Sequence, residues 1–316
     1  MSLYRNQLPQ LSGDLFLTDG GLETTLVFVD GIDLPEFAAF NLLTDEAGVD
    51  HLNRYLDDYI ELSRRYDAGF ILESVTWRAN SDWGIKMGFS AEQLEQINRK
   101  SIDMLVHLRN QHATAERPFV ISGCLGPRGD GYSATVRMTE AQAQGYHREQ
   151  IEVFAGTAAD MVTAFTLNYP AEAIGICRAA EEAKIPAVIS FTLETDGRLP
   201  NGETLQSAIE KVDDATNASA AYYMINCAHP THFENLLTGD EPWMQRIRGI
   251  HANASCKSHE ELDSSDTLDE GNPIELGELN ARLKQALPLL NIFGGCCGTS
   301  HHHVDEIAKS CAPLFN

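Results

Sequence analysis

Eight short apolar runs punctuate the chain, and each ends in polar or glycine-bearing residues. They cover 15–18 before Asp19-Gly20-Gly21, 70–72 before Glu73-Ser74, 119–121 before Ser122-Gly123, and 161–165 before Thr166. The other four are Ala187–Phe191 before Thr192, 221–225 before Asn226-Cys227, 247–250 before His251, and 289–293 before Gly294-Gly295. Continuous apolar runs of this length read as strands buried on both faces. Between them lie stretches with apolar residues at helical spacing. In 45–66 these are Leu52, Leu56, Tyr59, Ile60 and Leu62; in 91–109 they are Leu94, Ile97, Met104, Leu105 and Leu108. Further helices are expected over 139–155, Pro170–Ala183, 202–215, 274–286 and 303–310.

Alternation of this kind means parallel strands joined by right-handed crossovers. Eight units in 316 residues give about 40 residues each, the size expected of a (β/α)8 TIM barrel. We read a single α/β barrel domain over 14–316, preceded by a short N-terminal extension over 1–13. An open doubly wound sheet is the alternative. The chain has no GxGxxG after a strand and no GxxxxGK[ST], which removes the usual nucleotide-binding form of that alternative. The polar, acidic stretch 258–273 reads as an extended loop after the seventh strand, on the barrel face where loops carry function.

Charge narrows the partners. The chain has 46 acidic against 23 basic residues, a formal charge of −23. An acidic surface does not grip phosphate backbones and is repelled by anionic membranes, so neither nucleic acid nor membrane is expected as a partner. The first sixteen residues hold no long apolar stretch resembling a secretory signal, and no segment has the ~20 apolar residues that cross a bilayer. The expected compartment is the cytoplasm. Thiols stay reduced there, so the seven cysteines point to metal, catalysis or packing before disulfides.

Three constellations carry chemistry. Gly294-Gly295-Cys296-Cys297-Gly298-Thr299 follows the eighth strand, with glycines that free the backbone to turn both sulfurs toward one point. Asn226-Cys227 follows the sixth. In one barrel these sulfurs share an end, and three soft thiolates with an open fourth position suit a catalytic Zn2+. The vicinal pair also fits a tight packed turn or a redox couple. Asp19-Gly20-Gly21 follows the first strand, where backbone N–H groups suit a carboxylate and Asp19 an ammonium. Cys124 and Cys177 read as packing residues, Cys311 as a chain-end residue, and the run His301-His302-His303 as a polar helix start after the Ser300 cap.

Together, Asp19-Gly20-Gly21, Asn226-Cys227 and Gly294-Gly295-Cys296-Cys297-Gly298-Thr299 resemble the homocysteine S-methyltransferase family. Weaker agreements are Glu73-Ser74-Val75-Thr76-Trp77, Gly126-Pro127, Ser190-Phe191-Thr192 and the run from Ile250 to Ala254. The resemblance implies a cytoplasmic, zinc-dependent methyltransferase that converts homocysteine to methionine. Its Zn2+ would be held by Cys227, Cys296 and Cys297, with Asn253 the candidate fourth ligand when no substrate is bound. It implies that Asp19 takes the homocysteine amine, that backbone N–H groups near Gly20, Gly21 and Gly298 hold its carboxylate, and that Glu73, Thr76 and Asn226 line the same mouth. The donor would be S-methylmethionine, S-adenosylmethionine or betaine, with Trp77, Phe165 and Tyr132 as an aromatic wall. One position departs from the family: its Glu-Thr at the end of the fourth strand reads Phe165-Thr166 here. A thiol other than homocysteine, or a non-catalytic zinc- or thiol-binding barrel, is the alternative.

Overall fold

A computed structural model describes residues 1–135 and 137–315. Its eight strands are β1 (Phe16–Leu17), β2 (Gly69–Glu73), β3 (Phe119–Leu125), β4 (Met161–Leu167), β5 (Ala187–Phe191), β6 (Ala220–Asn226), β7 (Ile247–Ala252) and β8 (Ile292–Gly295). They pair in parallel and in sequence order, and β8 closes onto β1. The barrel expected from the strand-helix alternation is therefore what forms. The last strand starts three residues later than the apolar run suggested; just before it, the Asn291 side-chain amide donates to the Gln10 and Asp14 carbonyls at 2.8 and 2.6 Å.

Seven long helices wrap the barrel: Glu46–Arg65, Ala91–His112, Glu140–Ala155, Pro170–Ala183, Leu205–Thr216, Pro273–Ala286 and His301–Cys311. Their starts are chemically marked. Ser90 and Thr139 each accept from the backbone three residues on, while Gln93 and Gln142 reach back, so two orphan donors are satisfied at once. The connection from β6 to β7 holds only 3-10 turns, Pro230–His232, Glu234–Leu236 and Met244–Arg246. The 258–273 stretch is not wholly a loop. Ser258 caps a short helix, His259–Asp263, and Asn272 caps the next one. Among the described residues no helix is long and apolar enough to cross a membrane.

Strand pleating divides the core. Phe16, Ile71, Val120, Met161, Val188, Tyr222, Met224 and Ile292 pack together inside the barrel. Their neighbours Leu17, Phe70, Leu72, Phe119, Ile121, Val162, Tyr223 and Phe293 face the helices. The N-terminal residues close the lower end. Leu8 joins the interior cluster, and the buried Gln10 amide sits 3.2 Å from the Tyr222 hydroxyl.

Asp160, buried at the foot of β4, holds this end together. It pairs with Arg109 at 2.8 Å and accepts from the Leu3, Tyr4 and Ile121 backbone N–H groups at 2.7, 2.8 and 3.0 Å. Removing one partner of a buried pair strands the other in a medium of low dielectric. Asp160→Ala is expected to cost about 3–5 kcal/mol, read as a lowered urea midpoint together with earlier proteolysis of the N-terminal residues. An unchanged midpoint would show that solvent already screens the pair.

Candidate active site and metal centre

The same pleating that fills the barrel with apolar residues below puts polar ones above. Continuing the inward positions upward gives Thr18, Glu73, Ser122, Thr163, Ser190, Asn226, His251 and Gly294. Many of these side chains bond to each other. Ser122 and Thr163 hydroxyls lie 2.8 Å apart, and Thr163 lies 3.2 Å from Glu73 Oε1. Above them opens a cavity of about 460 Å³, lined by Asp19, Glu73, Phe165, Asn226, His251 and all three motif cysteines, and flanked by residues 262–269 of the β7 loop. The expectation that this loop serves the barrel mouth is met.

The cysteines converge as the motif spacing suggested. The Cys227, Cys296 and Cys297 sulfurs lie within 4.8 Å of one another. The end of β7 is what gathers them. The Cys227 N–H donates to the His251 carbonyl at 3.1 Å, the Cys296 N–H to Ala252 at 2.7 Å, and Ala254 N–H to Cys297 at 3.1 Å. Cys227 sits in the left-handed region, φ 51°, which turns its side chain out of the strand's alternation. The glycines are steric requirements. A Cβ on Gly294 would strike the Thr18 hydroxyl and one on Gly295 the Thr299 hydroxyl, and Gly298 has φ +78°.

Cys227 and Cys296 are bonded to each other, their Cα atoms 5.3 Å apart, and Cys297 is a free thiol. This differs from the expectation of unpaired thiols. Side chains gathered closely enough to share one ion are also close enough to bond to each other. Burial pushes the Cys297 thiol up to about 11, against a stabilising contact from the Tyr132 hydroxyl at 3.8 Å. Asn253, buried just past β7, donates to the Cys227 carbonyl at 3.3 Å, and its Oδ1 has no protein partner.

The acidic residues divide by environment. Asp19 Oδ2 accepts from the Tyr55 hydroxyl at 3.2 Å, and its Oδ1 lies 3.8 Å from His251 Nε2. Glu73 is buried and its Oε2 has no partner. Burial, reinforced by the Asp19 charge, pushes the Glu73 carboxyl up to about 8, against hydrogen bonds from Ser122 and Thr163. Enclosure likewise lifts Glu23, on the cavity wall, to about 7.

Several expected contacts are already taken within the protein. The Gly21 N–H donates to the Thr299 carbonyl and hydroxyl, both at 3.1 Å. The Gly298 N–H donates to the Thr24 hydroxyl at 3.1 Å. Gly20 packs under the Tyr59 hydroxyl, 2.5 Å from where a Cβ would stand. The glycine turn thus knits β1 to β8, with two of its donors committed to threonines. The Thr76 hydroxyl is fully buried, bonded to Cys124 O at 2.8 Å and to Ser74 at 2.6 Å. Asn226 is mainly a strut. Its Oδ1 accepts from Thr166 N–H at 2.9 Å and the Ser190 hydroxyl at 2.6 Å, and its amide donates to the Thr166 hydroxyl at 2.9 Å. Those bonds hold Thr166 at φ 61°, costly for a β-branched residue. The histidine run behaves as the helix start predicted from Ser300: the His303 nitrogens face the Ser300 hydroxyl at 3.1 Å and the Glu270 carbonyl at 2.7 Å.

The family model for homocysteine S-methyltransferase matches residues 16–311. The chain belongs to the homocysteine S-methyltransferase family. It is 23% identical to homocysteine S-methyltransferase 3 of Arabidopsis thaliana, over 94% of this chain and 90% of that protein. It is 24% identical to the selenocysteine Se-methyltransferase of Brassica oleracea var. italica, over 96% and 90%. In fold it is similar to the homocysteine methyltransferase MmuM from Escherichia coli. The oxidized form of that enzyme superposes with TM-score 0.74 at 17% identity, covering 96% of this chain and 99% of that one. The metallated form gives 0.69 at 17%, covering 94% and 96%. Family membership makes the chain a methyltransferase. His251 and Glu23 line the cavity and Tyr55 bonds to Asp19, and the sequence reading passed over all three. Tyr55 sits in an apolar helical stripe that reads as core.

Glu73 gives a pH test. Its carboxyl holds a proton more tightly in the folded state, to about 8, than in the unfolded chain, near 4.5. Its contribution to stability is therefore full below the lower value and lost as pH rises through the upper one. Glu73→Gln is expected to flatten the fall in thermal midpoint across that window; a slope identical to the wild type assigns it to other groups.

Proposed function

We propose that the family reaction, methyl transfer to the thiol of homocysteine, takes place in this mouth cavity with a Zn2+ held by Cys227, Cys296 and Cys297. The observation that carries the reading is the convergence of three sulfurs within 4.8 Å on the wall of a cavity that also holds Asp19 and Glu73. Once the Cys227–Cys296 bond is reduced, the donor set fits the ion: three thiols are the soft ligands zinc favours, and three protein ligands leave a fourth position for substrate. The unpartnered Asn253 Oδ1, one residue past β7 and turned by its amide to Cys227, is the candidate to fill that position when substrate is away. When bound, the metal supplies a thiolate at neutral pH from an acceptor whose free thiol is mostly protonated.

The remaining work falls to this chain's own side chains. Asp19, fixed by Tyr55, takes the acceptor's ammonium. The new sulfur–methyl bond forms as the donor's own methyl bond breaks, and the electron pair stays on the donor sulfur or nitrogen. A sulfonium or quaternary ammonium donor suits the cavity on two counts. Asp19, Asp130, Asp263 and Asp269 give it an acidic lining. Trp77, Tyr132 and Phe165 supply ring faces, worth ~0.5–2 kcal/mol to a cation. Tyr132 is itself braced by the His259 ring, with centroids 4.2 Å apart. S-methylmethionine, S-adenosylmethionine and betaine all meet this description. Residues 262–269 of the β7 loop flank the mouth and restrict water, so what the fold adds beyond the thiolate is positioning.

Cys296→Ser is expected to remove stoichiometric zinc and to lower methionine formation by more than about 100-fold, since losing even a residue behind a ligand costs 10–100-fold. Metal content of freshly reduced protein and a donor screen with homocysteine measure both. A variant that keeps zinc and activity rules the site out. Binding of homocysteine without methionine from any donor favours the non-catalytic barrel.

A further inference from the structure

We propose that His251 binds the carboxylate of the amino-acid acceptor, beside the Asp19 that takes its ammonium; this rests on the acceptor reading above. The imidazole is 10% exposed and lines the cavity. Its Nε2 is buried with no hydrogen-bond partner, 3.8 Å from Asp19 Oδ1 and so beyond bonding distance. A buried nitrogen left unpaired costs free energy that a ligand oxygen would recover. The ring is held in place rather than mobile: it lies against Phe165 with centroids 5.2 Å apart, and its Cδ2 stands 2.9 Å from where a Gly294 side chain would begin.

Register gives the reach. His251 pairs with Asn226 on one side and Gly294 on the other. The ring therefore stands one residue before Cys227 and two before Cys296, and strands rise about 3.3 Å per residue. Homocysteine carries two methylenes between its sulfur and its α-carbon, a span matching one or two such steps. A ligand whose sulfur lies at the cysteines thus has its zwitterionic end level with His251 and Asp19. Of the backbone donors first expected to serve that carboxylate, near Gly20, Gly21 and Gly298, the last two are bonded to Thr299 and Thr24. His251 is a donor in this cavity that the fold leaves free.

The test uses zinc-loaded protein and two truncated acceptors: the decarboxylated thiol aminopropanethiol and the deaminated thiol mercaptobutyrate. His251→Phe keeps a ring beside Phe165 and removes the donor. The expected result is a KM for homocysteine about 10–100-fold higher, the range for a hydrogen bond to a charged group, with kcat little changed, the signature of lost binding shared by ground and transition states. The wild-type preference for homocysteine over aminopropanethiol should collapse in this variant, while the preference over mercaptobutyrate persists. His251→Gln should restore part of the first preference. Calorimetric binding of the same thiols reads the discrimination without turnover, so a wild type that binds homocysteine but forms no methionine fails the activity reading alone. The proposal is overturned if His251→Phe retains the carboxylate preference, or if zinc content and kcat fall together with no change in that preference.

Discussion

The inward-outward alternation of the strands is the constraint from which the core and the site both follow. Side chains reverse face at every residue, so one register decides what fills the barrel and what caps it. Ile71 below and Glu73 above share a face, as do Met161 and Thr163, and Tyr222 and Asn226. A slip of one residue in β6 would turn Asn226 into the helix layer and release Thr166 and Ser190. The site therefore has no stability separate from the barrel. Its polar side chains are the upper layers of the same packing, held by hydrogen bonds where the lower layers are held by apolar contact.

The departures from regular geometry lie where those upper layers end. Thr166 and Cys227 both adopt left-handed backbone angles, 61° and 51°, one at the end of β4 and one just past β6. Both are paid for by neighbours: Asn226 bonds Thr166 twice, and β7 receives the Cys227 N–H. Strain maintained in this way re-aims a side chain that the alternation would otherwise point elsewhere. For Cys227 the outcome is a sulfur beside those of Cys296 and Cys297. The two elements that bear the cost, β6 and β7, are joined by 3-10 turns alone, so the strands that set the sulfur geometry are packed with no intervening α-helix of their own connection.

Much of this was legible in the sequence. Eight apolar runs, each ending in polar residues, gave the barrel, and the glycines around Cys296 and Cys297 marked where the backbone must bend. The glycine contacts bear that out, since Cβ atoms there would collide with Thr18 and Thr299. Residue roles were harder to read. Thr76 and Asn226 sit at the right strand ends, but hydroxyls and amides at strand ends serve the scaffold as readily as a ligand, and only the partners decide. Tyr55 looks like core because its ring is core; its hydroxyl alone reaches Asp19. His251 closes an apolar run much as a turn residue would, and nothing in its neighbours signals that its ring faces the axis. The pairing of Cys227 with Cys296 was not legible either, because compartment argues about thiols in general and proximity acts on these two.

Phe165 and His251 make most sense as a pair. The family resemblance puts a glutamate where Phe165 stands, next to a ring whose centroid is now 5.2 Å away. A carboxylate there would accept the imidazole N–H, and the two would neutralise each other as recognition groups. With phenylalanine the ring gains an apolar flank and its Nε2 stays unpaired. On the proposed acceptor reading, the loss of one acidic contact to the amine would leave Asp19 as its main counter-charge, since burial pushes the Glu73 carboxyl up to about 8. On that reading the balance of the pocket would shift from two carboxylates facing an ammonium to one carboxylate facing an ammonium and one imidazole facing a carboxylate. A zwitterion is matched at both ends by such a pair, and a thiol lacking either charge is not.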